Sequence, residues 1–225
     1  MQQVSNTVTR SRSTVIIQTN SVIRNTYLLL SLTLIFSAFT AWLSMASNAA
    51  PMGLLVIPIY FGLLFLTQAL RNSAWGILSI FAFTGFLGYT LGPILNFAIH
   101  GFSNGPQMVM ASLGLTGVIF LTLSGYALTT RKDFSYLGGF LAVAATVAFI
   151  GSLAGFFLHI PTLYLMVSAA FVVIASGLIL FQTSQIINGG EQNYIMATIT
   201  LYVAIYNLFI SLLQIFMMLS GRRNQ

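Results

Sequence analysis

The sequence predicts an all-α integral membrane protein of seven transmembrane helices, and three observations carry that reading. The 225-residue chain is 57% hydrophobic and only 4% charged, a balance that cannot coat a water-soluble surface with mixed charge. Seven apolar runs follow one another, each near or above the roughly 20 residues a helix needs to cross a bilayer. The breaks between them hold only a few residues, as tight helical hairpins require. No polar stretch is long enough for a separate soluble domain, so one bundle is expected.

Residues 1–24 are rich in Ser, Thr, Asn and Gln, with Arg10, Arg12 and Arg24 and one short apolar cluster, Val15 to Ile17. Such a composition reads as a flexible tail. The first apolar run covers about Asn25 to Ser47. Its Ser44-Met45-Ala46 loosely resembles a signal-peptidase site, but the run is longer than the roughly 7 to 15 apolar residues of a cleaved signal, so it reads as an uncleaved helix. Six further runs lie at about Met52 to Leu70, Ala74 to Ile99, Gln107 to Thr130, Tyr136 to Leu158, Thr162 to Ile187 and Tyr194 to Ser220. The expected division is therefore a tail over 1–24 and a membrane domain over 25–221. Pro51, Pro106 and Pro161 stand at or just before helices two, four and six, where a missing N–H does no harm.

Orientation follows from the basic residues. The tail, the loop with Arg71 and the loop with Arg131 and Lys132 fall on one side, and the three opposite loops carry no Arg or Lys. The positive-inside rule then predicts a cytoplasmic N-terminus, and an odd number of spans places the C-terminus outside. Arg222 and Arg223 oppose this; a re-entrant last segment would return them to the inside. With its basic residues in tails and short loops, the net charge of +6 sets orientation and gives no reason to expect nucleic acid.

No span carries Asp, Glu, Lys or Arg in its middle, whereas ion-coupled pumps and intramembrane hydrolases need an ionisable or metal-binding group at depth. The absence of cysteine excludes disulfides and thiolate chemistry. His100 and His159 each close a helix on the outer side, far apart and without a carboxylate, so no metal site, cofactor or enzymatic activity is expected. Asp133 reads as a solvated loop charge, and Glu191 as a carboxylate near the positive end of the last helix.

The polar residues inside the spans are more informative. Gln182, Gln185 and Asn188 lie at i, i+3 and i+6 towards the end of helix six, and Tyr202, Tyr206 and Asn207 put a second polar set on helix seven. Such groups are costly in hydrocarbon, so the two sets are expected to face each other or a wet cavity. Gly88 and Gly92 in helix three, and Gly151 and Gly155 in helix five, permit close helix approach. Pro93 and Pro58 either kink their helices or merely shape them.

The segment Phe83-Thr-Gly-Phe-Leu-Gly-Tyr-Thr-Leu-Gly-Pro93, with Gly85, Gly88, Gly92 and Pro93, resembles the helix-three motif of the Bax inhibitor-1 family. Leu201-Tyr-Val-Ala-Ile-Tyr-Asn207 is similar to that family's last-helix signature. The resemblance implies six helices surrounding a central C-terminal seventh. Several members are pH-sensitive calcium leaks in which an aspartate on helix six and another on helix seven share a proton. The matching positions here are Gln182 and Ala204. Neither can titrate, so that proton switch is not expected, and a calcium or cation leak is the alternative reading. The tail, Thr129-Thr-Arg-Lys-Asp133 and Gly189-Gly-Glu-Gln-Asn-Tyr194 look most like a proteobacterial inner-membrane branch. That branch implies binding and modulation of an FtsH-type membrane-anchored protease, with the tail engaging the protease while the bundle resists extraction.

Overall fold

A computed structural model describes residues 2–222, with side chains from 20 to 221 except that of Pro161. The Arg10, Arg12, Arg222 and Arg223 side chains used in counting charge lie outside that set. The described chain is helical throughout its length, as α1 (Gln2–Ala46), α2 (Val56–Leu70), α3 (Trp75–Gly101), α4 (Gly105–Thr130), α5 (Leu137–Leu158), α6 (Pro161–Ile187) and α7 (Tyr194–Arg222). Among the described residues, seven helices are long and apolar enough to span a membrane, the first over Asn20–Ala46.

The boundaries fall where local chemistry stops a helix. Pro161 and Pro106 occupy the first turns of α6 and α4, where no intrahelical N–H is needed. A short 3-10 turn, Gly53–Leu55, leads into α2 and puts Pro58 in that helix's first turn. Pro58 therefore removes no α-helical bond and gives no kink in mid-helix. At its C-terminus α4 closes on Arg131 in the left-handed region (φ 51°), whose N–H returns to the Ala127 carbonyl. The helix expected to begin at Asn25 begins at Gln2 instead. The polar segment contains neither Gly nor Pro, and adding residues to an existing helix avoids the nucleation step.

Helix α7 is the inner element. It packs against α1, α3, α4 and α6, while α2 rests on α3 and α5 on α6. Its buried residues, from Ser211 on one side through Ala204, Leu208, Leu201 and Tyr202 to Ile199 on the other, spread over about two thirds of its circumference at about 100° per residue, as expected of a helix packed against several others. By contrast, Thr67 is the one buried residue of α2. Between helices in lipid the driving force is close van der Waals fit and shared polar contacts. The glycines of α3 supply the first of these. A Cβ on Gly88 would collide with the Ser37 carbonyl and Thr40, one on Gly92 with Ser44, and one on Gly85 with the ring of Phe36. Helix α1 therefore lies in a groove that these three glycines open.

Candidate functional site

On α6, Ala175, Ile179, Gln182 and Ile186 recur on one buried face. Ala175 and Ile179 pack with Ala204, Leu208 and Leu212 of α7, and Ile186 with Ala197 and Leu201. Gln182 thus sits between these two sets of contacts, at the level of Leu201 to Ala204. It is 5% exposed, and its amide nitrogen has no hydrogen-bond partner among the described residues. Leaving a buried donor unpaired costs about 1–3 kcal/mol. Ala204 is fully buried in an apolar cluster. Neither side chain offers a proton to exchange.

The two polar sets do not form one seam. Tyr202 turns away from α6: the Ser37 hydroxyl of α1 donates to it at 2.5 Å, and it donates to the Thr84 carbonyl of α3 at 3.1 Å. Tyr206 likewise donates to Thr90 of α3 at 2.8 Å, because the Thr90 hydroxyl is committed to the Leu87 carbonyl. The cause is helical geometry. At about 100° per residue, positions 202 and 206 both fall about 160° round the axis from Ala204, facing α1 and α3. Asn207 points between these directions, donating to the Val203 carbonyl and lining a groove bordered by α2, α5 and α6.

The stripe on α6 also divides, since about 100° per residue carries Asn188 some 120° from Gln182. Gln185 is half-buried against Gly190. Asn188 is exposed and bonds to Ser184 Oγ at 3.2 Å and the Lys132 carbonyl at 3.5 Å. Ser184 is the stronger clasp: it donates to the Lys132 carbonyl at 3.0 Å and accepts from the Phe134 N–H at 2.9 Å, fixing the α4–α5 loop to α6. Within that loop the Ser135 hydroxyl and N–H both donate to Asp133. These bonds favour the ionised form and hold its carboxyl below the usual range.

A matching clasp begins α7. Asn193 Oδ1 accepts the N–H groups of Ile195 and Met196 at 3.0 Å, which caps the helix. Its Nδ2 donates to the Arg71 carbonyl and Asn72 Oδ1, tying α7 to the α2–α3 loop. Glu191 accepts the Asn193 N–H at 2.8 Å, immediately ahead of this cap. Asn193 was not singled out in the sequence, although an Asn one residue before an apolar helix is a capping signal. Ser37 and Ser184 gave no comparable signal, because a serine inside an apolar run does not reveal its partner.

Gly85, Gly88 and Gly92 have a packing role at the α1–α3 contact described above. Pro93 lies within the continuous α3, leaving the Tyr89 carbonyl without its usual intrahelical donor. Both residues border a cavity of about 530 Å³ reaching from Pro51 and Met52 to Tyr206. No group of three His, Asp or Glu side chains able to hold a metal occurs among the described residues.

The fold and its interior define a multi-spanning membrane protein in which no carboxylate, imidazole or basic side chain is buried among the described residues. The chain belongs to the Bax inhibitor family: the family model described as inhibitor of apoptosis-promoting Bax1 matches residues 19–221. It is 52% identical over 203 residues to the modulator of FtsH protease YccA of Escherichia coli K12, covering 90% of this chain and 92% of that protein. An uncharacterised protein of Pseudomonas aeruginosa is 51% identical over 205 residues, with 91% and 92% of the two chains covered. An uncharacterised protein of Neisseria meningitidis serogroup A is 35% identical over 213 residues, with 90% and 92% covered.

Proposed function

We propose that this protein resides in the bacterial inner membrane and binds and inhibits a membrane-anchored, ATP-dependent FtsH-type protease, without catalytic activity of its own. The observation that carries this reading is the 52% identity, over 90% of the chain, to a relative named as a modulator of that protease. The distribution of Arg and Lys supports a cytoplasmic N-terminus and a periplasmic C-terminus. In this reading residues 1–24 meet the protease first and the helical bundle resists being drawn out of the membrane, so that other substrates are degraded more slowly.

The alternative, a pH-sensitive calcium leak, draws on family membership and is opposed by Gln182 and Ala204 at the two positions where the leak requires carboxylates. Deletion of residues 2–20 tests the proposal. The expected result is a longer half-life for the protein together with loss of protease inhibition, with the membrane domain still inserted. An unchanged half-life and unchanged inhibition would reject the role of the leading segment. Failure of the full chain to copurify with the protease after crosslinking in native membranes would reject the function itself.

A further inference from the structure

Helices α2 and α5 do not pack along their lengths; across the gap Phe61 meets Phe149 edge to face, with ring centroids 6.4 Å apart. Behind that pair lies a groove of about 400 Å³ floored by α6 and α7. This is within the range of small-molecule sites, about 300–1,000 Å³. Tyr60, Phe149, Ile174 and Asn207 line it, and the last three each stand near the middle of their helices, with Tyr60 in the first half of α2. The groove therefore opens at mid-bilayer, about 15 Å from either edge of a hydrocarbon core about 30 Å thick.

Every residue of the lining is uncharged. Tyr206 has committed its hydroxyl hydrogen to Thr90, and Asn207 one amide hydrogen to the Val203 carbonyl. The Tyr60 hydroxyl, the second amide hydrogen of Asn207 and its Oδ1 have no protein partner among the described residues. An acyl chain entering from lipid would leave these groups unsatisfied in a dry site. A charged headgroup is excluded by the depth and by the uncharged walls. The fitting occupant is a flat, uncharged ring bearing carbonyl oxygens on an apolar tail, able to lie against Phe149 and Phe171.

We propose that this groove binds the head of an isoprenoid quinone, with a ring carbonyl accepting from Tyr60 and Asn207 and the tail leaving between α2 and α5. The test uses the full chain in nanodiscs, a photoreactive azido-quinone and decylubiquinone as competitor. Expected are saturable labelling of α2 and α5 peptides, displacement by decylubiquinone, and about fivefold weaker binding in Tyr60→Phe and in Asn207→Leu, the loss of one hydrogen bond each. Ala145→Phe, which fills the groove, abolishes labelling. Tyr60→Phe keeps the ring and its packing, so its effect reports the hydroxyl and not misfolding. Labelling that fails to saturate, or that is unchanged in both Tyr60→Phe and Asn207→Leu, would overturn the proposal and leave an unspecific acyl-chain crevice.

Discussion

Replacing Gly88 by alanine adds one methyl group at the closest approach of α1 and α3. The new Cβ would overlap the Ser37 carbonyl oxygen as well as the hydroxyls of Thr40 and Ser37. Side chains can rotate away, but a backbone carbonyl can retreat only if α1 moves as a body. A gap of about 0.5–1 Å forfeits a quarter to a half of each neighbouring dispersion contact. It would also stretch the Ser37 to Tyr202 hydrogen bond from 2.5 Å. Overpacking of this kind typically destabilises by about 1–3 kcal/mol, against which the better helix propensity of alanine returns about 1 kcal/mol at most. The expected net effect of Gly88→Ala is therefore a loss of about 0–2 kcal/mol against the parent, and of about 1–3 kcal/mol against a glycine-to-alanine change with free space around it. Gly117→Ala in α4 is the internal reference, because a Cβ there meets nothing within 4 Å; it should be neutral or slightly stabilising. Gly92→Ala forms an intermediate case. Its principal clash is with the Ser44 side chain, so Ser44→Gly should recover part of the loss, whereas no side-chain truncation at Ser37 should rescue Gly88→Ala. Reversible unfolding in mixed micelles, followed by far-UV circular dichroism, measures all of these variants. Equal stability of Gly88→Ala and Gly117→Ala would refute the glycine-groove account.

Asn193→Ala removes the α7 cap and both bonds to the α2–α3 loop, and should destabilise by about 1–2 kcal/mol in the same assay; Asn193→Asp should retain the cap and lose less. Gln182→Asp combined with Ala204→Asp places two carboxylates at the α6–α7 contact and is expected to introduce pH-dependent calcium flux into dye-loaded vesicles, with none expected from the parent. Flux that is pH-dependent in the parent, or no gain in the double variant, would contradict the assignment of these positions. Ser135→Ala should raise the Asp133 pKa towards the ordinary carboxylate value, measurable by carboxyl chemical shifts. Because the folded pKa is depressed, the stabilisation associated with Asp133 is present above its unfolded value and fades as pH falls through the folded one.

The helix positions were legible because lipid-facing spans must be apolar along their whole length and Pro or Gly marks the turns between them. Expected and observed boundaries of the six later helices agree within about two residues, inside the usual spread at frayed ends, except at the start of α2, where the 3-10 turn Gly53–Leu55 intervenes and the α-helix begins at Val56 instead of Met52. The start of α1 was not legible, since a polar helix without apolar periodicity leaves no pattern to read. In the interior, the sequence showed which residues are polar but not which neighbours they meet. The expectation that Tyr202 and Tyr206 face the polar set of α6 fails once Ala204 is placed against α6, because helical phase then turns both tyrosines away. The Ser37–Tyr202–Thr84 chain joins three helices distant in sequence, and only the packed structure brings it together.

The proposed function gives that chain of contacts a mechanical meaning. A protease that engages the leading segment applies its force to α1 before any other span, so resistance to extraction depends on what holds α1. The holding surface consists of the glycine groove of α3, where α1 lies too close to slide without collision. It also includes the hydrogen bond from Ser37 to Tyr202 of α7 and a longer branch at 3.3 Å to the Thr26 carbonyl from the Thr198 hydroxyl, whose hydrogen is shared with the Tyr194 carbonyl at 2.7 Å. None of these contacts depends on a carboxylate or an imidazole, so the grip on α1 does not vary with pH near neutrality as a shared carboxylate proton would make it vary. Withdrawing α1 would break polar pairs that hydrocarbon cannot replace. The grip on α1 is thus set at its contacts with α3 and α7, apart from Gln182 and Ala204, and suits a membrane protein slow to be pulled apart from its N-terminal end.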